Sequence, residues 1–269
     1  MINQKIFKQI LPKLYSICQE TGLLQMKHHK SNISFSTKDN KTPVTEIDIK
    51  SNSIITKGLN ELTPSIPIIS EEDYEGQEKH NYFWIIDPLD GTRNYIDNGN
   101  EFCICISLID KESPILGIIY SPVTKDFFYS YKDLGAFHQA KSSKPKRLTT
   151  KKMTDSTDLN IFTSSSIRKS AELILGSKFP NCNFIKRSSA IKFGSIARGD
   201  GIFYPRLGPT HEWDTAAGHS IVNEAGGAVV DKNMKPLKYN KNKSFLNNEF
   251  FVISDPSYDW KSIIDSIVS

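Results

Sequence analysis

The stretch YFWIIDPLDGT, residues 82–92, joins an apolar run directly to two carboxylates and a glycine. The apolar run is continuous rather than alternating, which predicts a strand that is buried on both faces. Asp87 stands at the end of this strand, where Pro88 cannot continue the sheet and where a carboxylate is costly unless it binds something. Asp90 adds a second carboxylate, and the Leu89 carbonyl can turn toward the same ion. Hard oxygen ligands of this kind predict a Mg²⁺ site.

The last two residues of the same stretch, Gly91 and Thr92, have the features of a phosphate site. Gly91 permits a close approach of the backbone, and a helix is predicted to begin beside it. The N–H groups at the start of a helix attract anions, so a phosphate group is expected there. The alternative is an Asp-Gly turn with solvated carboxylates, which the other motifs of the chain disfavour.

Acidic residues also follow the strand that is predicted over residues 66–70. Neighbouring strands deliver their ends to the same edge of a sheet, so Glu71 or Glu72 is expected to share a metal ion with Asp87. By itself the segment favours a solvated acidic loop, because further acidic residues follow closely. Its convergence with the Asp87 motif favours the metal site instead.

A third carboxylate, Asp214, lies in residues 212–218, which are predicted to begin a helix rich in small side chains. In the first turn of that helix, Asp214 would favour the positive helix end and keep its side chain available to a cation. The alternative is a helix-capping acid beside a core Trp213. The pair His211-Glu212 lacks a second histidine at the helical offset that a zinc protease requires.

Asp48 has two interpretations, because it stands near the start of the second predicted helix, which extends to Leu62. An acidic side chain at this position most often stabilises the positive end of the helix dipole. Its functional interpretation is support for a water molecule in the metal site.

Ser189 and Lys192 lie three residues apart in a predicted helix and would share a face, and Arg206 follows in the next strand region. Together these side chains could hold a second phosphate group. A solvated helix face is the alternative. The sequence contains no Gly-rich phosphate loop, GxSxG motif or Ser-His-Asp arrangement.

The spacing of apolar residues predicts the other elements. Helices are expected over residues 6–24, with Pro12 kinking the helix or delaying its start, from about Ser170, over 190–198, and from Trp213 to Gly226 as the last helix. Strands are expected at 33–36 (strand or loop), 103–109, 114–120, 126–131, 159–163, near 184, 201–204 and 228–231. Residues 140–158 are rich in Lys, Ser and Thr and predict a surface connection between two halves.

The overall composition favours a globular protein with a small anionic substrate. The chain has 34 basic and 30 acidic side chains, which is too slight an excess to indicate nucleic acid binding. Charged residues interrupt residues 1–24, so neither a signal peptide nor a membrane span is predicted, and the expected location is cytoplasmic. Peripheral membrane attachment and the oligomeric state stay open. The four scattered cysteines, Cys18, Cys103, Cys105 and Cys182, lack CxxC metal spacing and are predicted to be buried free thiols.

The four motifs at residues 45–48, 70–72, 87–92 and 213–214 stand in an order that resembles the lithium-sensitive, Mg²⁺-dependent phosphatases of the inositol monophosphatase superfamily. The resemblance covers nearly the whole chain. It implies the sugar-phosphatase fold of the α/β (layered α+β) class, with alternating α/β/α/β/α layers and two sheets. Residues 1–269 would form one catalytic unit. Residues 1–157 would carry helices and an antiparallel sheet with the metal motifs, and residues 158–269 a mixed α/β half with the nucleotide contacts.

The same resemblance implies a role for each motif. Two or three Mg²⁺ ions would be held by oxygen ligands: one ion by Glu71, Asp87 and the Leu89 carbonyl, another by Asp87, Asp90 and Asp214. The catalytic residues would be Glu71 and Thr92, which orient the attacking water, and Asp48. Substrate contacts would come from Leu89, Asp90, Gly91, Thr92, Ser189, Lys192, Arg206 and Asp214.

Within the superfamily, residues 188–193, 204–210 and 213–219 resemble the bacterial 3'(2'),5'-bisphosphate nucleotidases. The resemblance implies hydrolysis of the 3'-phosphate of adenosine 3',5'-bisphosphate to AMP and phosphate, a by-product removal step of sulfate assimilation. Relatives often carry a Ser-x-Ser-His segment beside the adenosine, whereas residues 164–168 read SSSIR and leave the base contact near Arg168 open. The alternatives are an inositol-monophosphate or fructose-bisphosphate phosphatase, and a non-catalytic, metal-dependent nucleotide sensor.

Overall fold

The structure is a computed structural model that describes residues 1–31, 35–37, 43–74, 76, 80–141, 143–153, 159–164, 167–241 and 244–268. Its helices are α1 Gln4–His28, α2 Glu46–Leu62, α3 Thr92–Ile96, α4 Lys169–Lys178, α5 Ile191–Ala197, α6 Ala216–Glu224 and α7 Trp260–Val268. Its strands are β1 Phe35–Thr37, β2 Pro43–Thr45, β3 Ile68–Ser70, β4 Tyr82–Asp90, β5 Cys103–Asp110, β6 Ser113–Ser121, β7 Asp126–Tyr131, β8 Gly135–Ala140, β9 Lys146–Arg147, β10 Leu159–Thr163, β11 Cys182–Lys186, β12 Phe203–Arg206, β13 Thr210–His211, β14 Ala228–Val230, β15 Leu246–Asn247 and β16 Phe250–Ile253.

The first large sheet has the strand order β3-β4-β5-β6-β7-β8-β9. From β4 onward each strand is antiparallel to the next, because short turns join them. The predicted antiparallel sheet is present from β4 onward, and β3 joins its edge parallel to β4, so that both strands end at the same edge, as expected. The chain between Ser70 and Tyr82 returns to the starting end of the sheet, which is the connection that a parallel pair requires.

The second large sheet is mixed, as expected, with the order β11-β10-β12-β16-β14. Strands β11, β10 and β12 are parallel to one another, and β16 is antiparallel to both β12 and β14. The predicted boundary between the halves, at residues 157 and 158, lies outside the described residues.

The helices separate and cover these sheets in five layers. Helices α1 and α2 pack on the outer face of the first sheet, where Phe7, Leu14 and Trp84 share one core. Helices α5 and α6 lie between the sheets, and Phe193 and Ile221 belong to that second core. Helices α4 and α7 cover the far face of the second sheet. The predicted α/β/α/β/α arrangement is therefore confirmed.

Small residues allow α6 to approach the first sheet closely. A Cβ atom built on Gly117 of β6 would lie only 2.2 Å from the carbonyl oxygen of Ala217 in α6. A Cβ atom built on Gly218 would lie 2.2 Å from the Phe193 ring in α5. The glycines thus set the spacing of the central layer.

Several elements differ from the predictions. Helix α1 begins eight residues before Pro12 and includes it, because the Asn3 side chain accepts a hydrogen bond from the Ile6 N–H and caps the helix. The predicted surface connection after residue 140 contributes β9, which pairs with β8 and precedes a buried Leu148. Helix α6 is not the last helix, because β16 and α7 follow it. Of the predicted strand or loop at residues 33–36, residues 33 and 34 lie outside the described residues, and β1 begins at residue 35.

Candidate metal and phosphate site

The backbone after the apolar run of β4 differs from the expected strand end. Strand β4 continues through Pro88 to Asp90, with a register shift between Asp87 and Asp90, which pair with Cys105 and Cys103 of β5. Proline is tolerated in such an irregular section because no ladder hydrogen bond is needed from it. Both carboxylates therefore lie on the sheet itself.

Three carboxylates converge at this edge, and we call Glu71, Asp87 and Asp214 the acidic triad. One oxygen from each lies within 4.8 Å of the others. Glu71 directly follows β3, whose last residue pairs with Ile86, so the parallel strands bring Glu71 beside Asp87 as predicted. Asp214 arrives from the second half of the chain. It lies two residues before α6 rather than in its first turn, and its carboxylate accepts a hydrogen bond from the His211 N–H at 2.9 Å.

The acidic triad has the electrostatics of a cation site. Asp87 is 2% exposed, and burial followed by repulsion from Glu71, Asp90 and Asp214 raises its pKa well above the usual range. Burial and the charges of Asp90 and Glu71 raise the pKa of Asp214 in the same way. A divalent cation would offset this repulsion, and the hard oxygen donors fit Mg²⁺. The residues present therefore fit the predicted metal.

Asp90 stands apart from the triad. Its carboxylate accepts hydrogen bonds from the Ala190 N–H and from the Cys103 thiol, the latter at 3.5 Å. Burial raises the pKa of Asp90, while the Ala190 N–H and the nearby Lys192 oppose that rise. The predicted sharing of a second ion by Asp87, Asp90 and Asp214 stays a prediction.

Thr92 and Asp48 lie together, as both were predicted to act beside the cation. The Thr92 hydroxyl oxygen is 2.9 Å from Asp48 Oδ1 and 3.0 Å from the Leu89 carbonyl oxygen, so its single proton can be donated to either. The other oxygen of Asp48 accepts a hydrogen bond from the Thr45 N–H at 2.8 Å and completes a capping box at the start of α2. Asp48 therefore has the helix-start role and also contacts Thr92 of the site, while its support for a water molecule stays a prediction.

A pocket of about 700 Å³ opens over these groups. It lies between the halves, because residues of both line it: Glu71, Asp87, Leu89, Asp90, Gly91, Thr92, Arg93, Asn94, Asp97, Ser164, Arg187, Ser188, Ser189, Lys192, Arg206, His211 and Asp214. Every site residue that the family resemblance implies is in this lining except Asp48, which reaches it through Thr92; Glu72, the alternative to Glu71, is not in the lining. Gly91 has φ of 95° and directly precedes α3, so the helix that was predicted to begin beside Gly91 is present.

The predicted phosphate-binding cations have unequal surroundings. Lys192 is 4% exposed, and its ammonium donates to the carbonyls of Ser189 at 2.7 Å and Arg187 at 3.1 Å. Burial lowers the pKa of Lys192 to about 8. Arg206 donates weakly to the Pro209 carbonyl at 3.4 Å, and its buried Nε atom has no hydrogen-bond partner among the described residues. Arg206 thus has more donor capacity left for a ligand.

Ser189 does not share a helix face with Lys192, because α5 begins at Ile191. Ser189 has φ of 59°, in the left-handed region, and two anchors hold the loop that contains it. The Ser188 N–H donates to Glu101 at 2.8 Å, and the Ala190 N–H donates to Asp90. The loop therefore connects the acidic half of the pocket with its basic half.

Two residues that support the site were missed from the sequence. The buried Gln25 of α1 donates to the Pro88 carbonyl at 2.8 Å and to Ser51 at 3.2 Å, which holds the backbone beside the acidic triad. Its signal was present, since a polar residue continues the buried face of α1 after Leu14, Cys18 and Thr21. Arg187 lines the pocket and lies 5.6 Å over the Phe162 ring, a placement that no spacing in the sequence indicates.

A buried polar network lies behind Asp214. His219 of α6 is 2% exposed, and its Nδ1 atom is 3.0 Å from the Tyr239 hydroxyl, which lies 3.4 Å from the Thr215 hydroxyl. Burial lowers the pKa of His219 from 6.5 to about 3. Histidine is therefore held neutral within the folded protein over most of the acidic range.

We expect His219 to make the protein less stable as the pH falls. Between about pH 5.5 and 4.5 the unfolded chain binds a proton at His219 that the folded chain does not, so folding loses up to about 1.4 kcal/mol per pH unit from this group. Urea unfolding of the wild type and of His219→Asn at both pH values measures the difference in slope. His28→Asn, at the partly exposed end of α1, makes the same change outside this network and is the matched control. Equal slopes for His219→Asn and the wild type would contradict the expectation.

The layered fold and the acidic pocket between its halves define the class of protein. The profile of the inositol monophosphatase family matches residues 8–259, and the chain belongs to this family. The family predicted from the sequence is confirmed. Among the described residues, no helix combines the length and the apolar character needed to span a bilayer.

Relatives within the family are more specific. The chain is 32% identical over 268 residues to the 3'(2'),5'-bisphosphate nucleotidase CysQ of Haemophilus influenzae, and this match covers 97% of each chain. It is 36% identical over 253 residues to the protein of the same name from Buchnera aphidicola, covering 91% of this chain and 94% of that relative. The crystal structure of CysQ from Bacteroides thetaiotaomicron has a TM-score of 0.77 at 28% identity and covers 93% of this chain and 99% of that one. The Thermotoga maritima IMPase shares the fold, with a TM-score of 0.78 at 22% identity over 96% of each chain.

Proposed function

We propose that this protein is a Mg²⁺-dependent nucleotidase that hydrolyses the 3'-phosphate of adenosine 3',5'-bisphosphate to AMP and phosphate. The observation that carries the proposal is one pocket with an acidic triad on one side and the cations Lys192 and Arg206 on the other. A substrate with two separate phosphate groups can use both sides at once. The nucleotidase relatives support the same substrate class.

Oxygen ligands for two or three Mg²⁺ ions would come from the first half of the chain and from Asp214. Glu71, Asp87 and the Leu89 carbonyl would hold one ion, and Asp87, Asp90 and Asp214 another. The ions would supply charge neutralisation for the reacting phosphate and activation of the attacking water. No covalent intermediate with the protein is needed.

Thr92 would orient the water through its contact with Asp48. A Thr92 hydroxyl that donates its proton to Asp48 keeps its lone pairs for a hydrogen bond from water in the pocket. Glu71 would accept from the same water, as the resemblance implies. Asp48 is 1% exposed and fixed by the Thr45 N–H, so this orientation is built in before substrate binds.

The basic side of the pocket would select the second phosphate. The buried Nε–H of Arg206 has no partner among the described residues, and the Arg206 guanidinium would form the direct contact, since charge-assisted hydrogen bonds to phosphate are strong. Lys192 has two of its three donors occupied by carbonyls, so its main contribution would be to hold the Ser189 loop and add positive charge. Ser189 would add its hydroxyl to the same phosphate.

The proposal is tested by phosphate release in Mg²⁺ from three substrates: adenosine 3',5'-bisphosphate, inositol 1-phosphate and fructose 1,6-bisphosphate, with and without lithium. Fast, lithium-sensitive release from the nucleotide is expected. Arg206→Met should raise KM for the nucleotide by about tenfold or more, because a charged hydrogen bond contributes about 1.5–3 kcal/mol. It should leave KM for inositol 1-phosphate nearly unchanged.

Preference for an inositol or sugar phosphate would overturn the substrate assignment and leave the metal site standing. Nucleotide binding without turnover in Mg²⁺ would instead indicate a sensor. Equal effects of Arg206→Met on both KM values would contradict the assigned role of the basic side.

A further inference from the structure

Two cysteines lie directly behind the candidate active site. Cys103 and Cys105 are alternate residues of β5, so both side chains point to the same face of the sheet, and both are fully buried. The register of β4 on β5 sets Cys103 opposite Asp90 and Cys105 opposite Asp87. The two thiols therefore adjoin the carboxylates that line the pocket.

Two of the three ligand-to-ligand distances in this group match those of a tetrahedral metal site. The sulfur atoms of Cys103 and Cys105 are 3.9 Å apart, and the Cys103 sulfur is 3.5 Å from Asp90 Oδ2. Zinc bonds of about 2.3 Å to sulfur and about 2.0 Å to oxygen, at tetrahedral angles, require about 3.8 Å between sulfurs and about 3.5 Å between sulfur and oxygen. Ligand atoms of all three residues lie within 4.8 Å of one another, so only a small movement of Cys105 relative to Asp90 is needed.

We propose that Asp90, Cys103 and Cys105 form a binding site for a thiophilic divalent cation such as Zn²⁺ or Cd²⁺, distinct from the acidic triad. Two sulfur ligands select these ions over Mg²⁺, which prefers oxygen. Binding replaces the two thiol protons, which pass to the solvent, by two metal–sulfur bonds, and no electron is transferred. Asp90 lines the pocket, so its carboxylate connects this group of ligands to the pocket.

Binding at this site is inhibitory, and this consequence rests on the proposed function. A cation on the thiol side would occupy one oxygen of the Asp90 carboxylate and would repel a Mg²⁺ ion bound to the other oxygen in the pocket. The ion would also compete with the Ala190 N–H for the same carboxylate and release the Ser189 loop. The chain thus has a thiophilic inhibitor site built into the sheet beneath its phosphate pocket.

The site is tested by titrating reduced, purified protein with Cd²⁺ in excess Mg²⁺ and recording the ultraviolet charge-transfer band of cadmium thiolate. One equivalent of Cd²⁺ should saturate the band. Cys103→Ser and Cys105→Ser should each weaken Cd²⁺ binding by at least about tenfold, since loss of even an outer-shell partner costs about 10–100-fold in metal affinity. Cys182→Ser, which removes a more exposed thiol elsewhere, is the matched control and should keep the band.

Absence of a saturable thiolate band in the wild type, or its survival in both cysteine variants, would overturn the site. Thermal melting before each titration checks that the variants are folded. If Cys103→Ser does not fold, Cys105→Ser decides alone, because Cys105 donates no hydrogen bond to Asp90 in the described structure. Phosphate release measured in parallel separates the inhibition from the proposed function. A saturated band with full activity overturns the inhibition. An inactive wild type in Mg²⁺ alone overturns the proposed function and leaves the binding result valid.

Discussion

Replacing Asp87 by asparagine is expected to reduce phosphate release by more than about 100-fold, because loss of even an outer-shell partner of a metal ligand costs about 10–100-fold. Asp87 lies at the centre of the proposed cation sites and would contact both ions. Asparagine keeps the shape of the side chain but removes the charge that attracts them. The fold should persist, because the substitution removes from the ion-free protein a buried negative charge that Glu71 and Asp214 repel.

Two measurements separate the loss of chemistry from the loss of structure. The melting temperature of ion-free Asp87→Asn should be no lower than that of the wild type, and added Mg²⁺ should raise it less. Asp110→Asn makes the same change at the opposite end of the β4–β5 pair and should behave as the wild type in both assays. Wild-type activity in Asp87→Asn would contradict the proposed metal chemistry.

Gly117→Ala is expected to cause the largest loss of stability, about 3 kcal/mol, at the upper end of the usual range for overpacking. The added methyl carbon would lie 2.2 Å from the Ala217 carbonyl oxygen, which belongs to the backbone of α6 and cannot rotate away. Either α6 must shift from the first sheet or the helix must deform. Urea unfolding gives the free energy, and a midpoint shift without a change in slope would identify a loss of native stability.

Gly208→Ala is the control for this substitution. Beyond Gly208 and its two chain neighbours, no described residue has an atom within 4 Å of a Cβ built on Gly208, so the unfolding free energy of Gly208→Ala should stay within about 0.5 kcal/mol of the wild type. If Gly117→Ala were as stable as Gly208→Ala, the glycine would not set the spacing between β6 and α6.

The sequence predicted elements well where apolar periodicity was strong. Helix α2 and strands β5, β6, β7 and β10 lie within about a residue of their predicted bounds. Strand β16 and helix α7 were missed although the sequence contains signals for both. Four successive apolar residues at 250–253 indicate the strand, and apolar residues at helical spacing from Trp260 to Ile267 indicate the helix. The sequence contains no such signal for strand β9. Its two residues, Lys146 and Arg147, form a strand because they pair with β8.

For the candidate site, residue types and strand order were enough to bring the carboxylates together. The parallel edge explains Glu71 and Asp87, and a buried charge requires a partner wherever it occurs. The hydrogen-bond partners of each site group could not be predicted. The carbonyls around Lys192 and the two hydrogen bonds to Asp90 depend on the turn at Ser189, whose left-handed backbone is not a general preference of serine.

The division of the acidic triad between the two halves has a consequence for biosynthesis. Glu71 and Asp87 leave the ribosome long before Asp214, so the nascent chain exposes an incomplete cation site while the first sheet forms. Under the proposed function, tight ion binding would become available only when the segment that carries Asp214 docks, and the ion would then join the early and late parts of the polypeptide. Cellular Mg²⁺ would thereby act as a late folding ligand, and depletion of the ion during translation would leave more chains with the second half undocked.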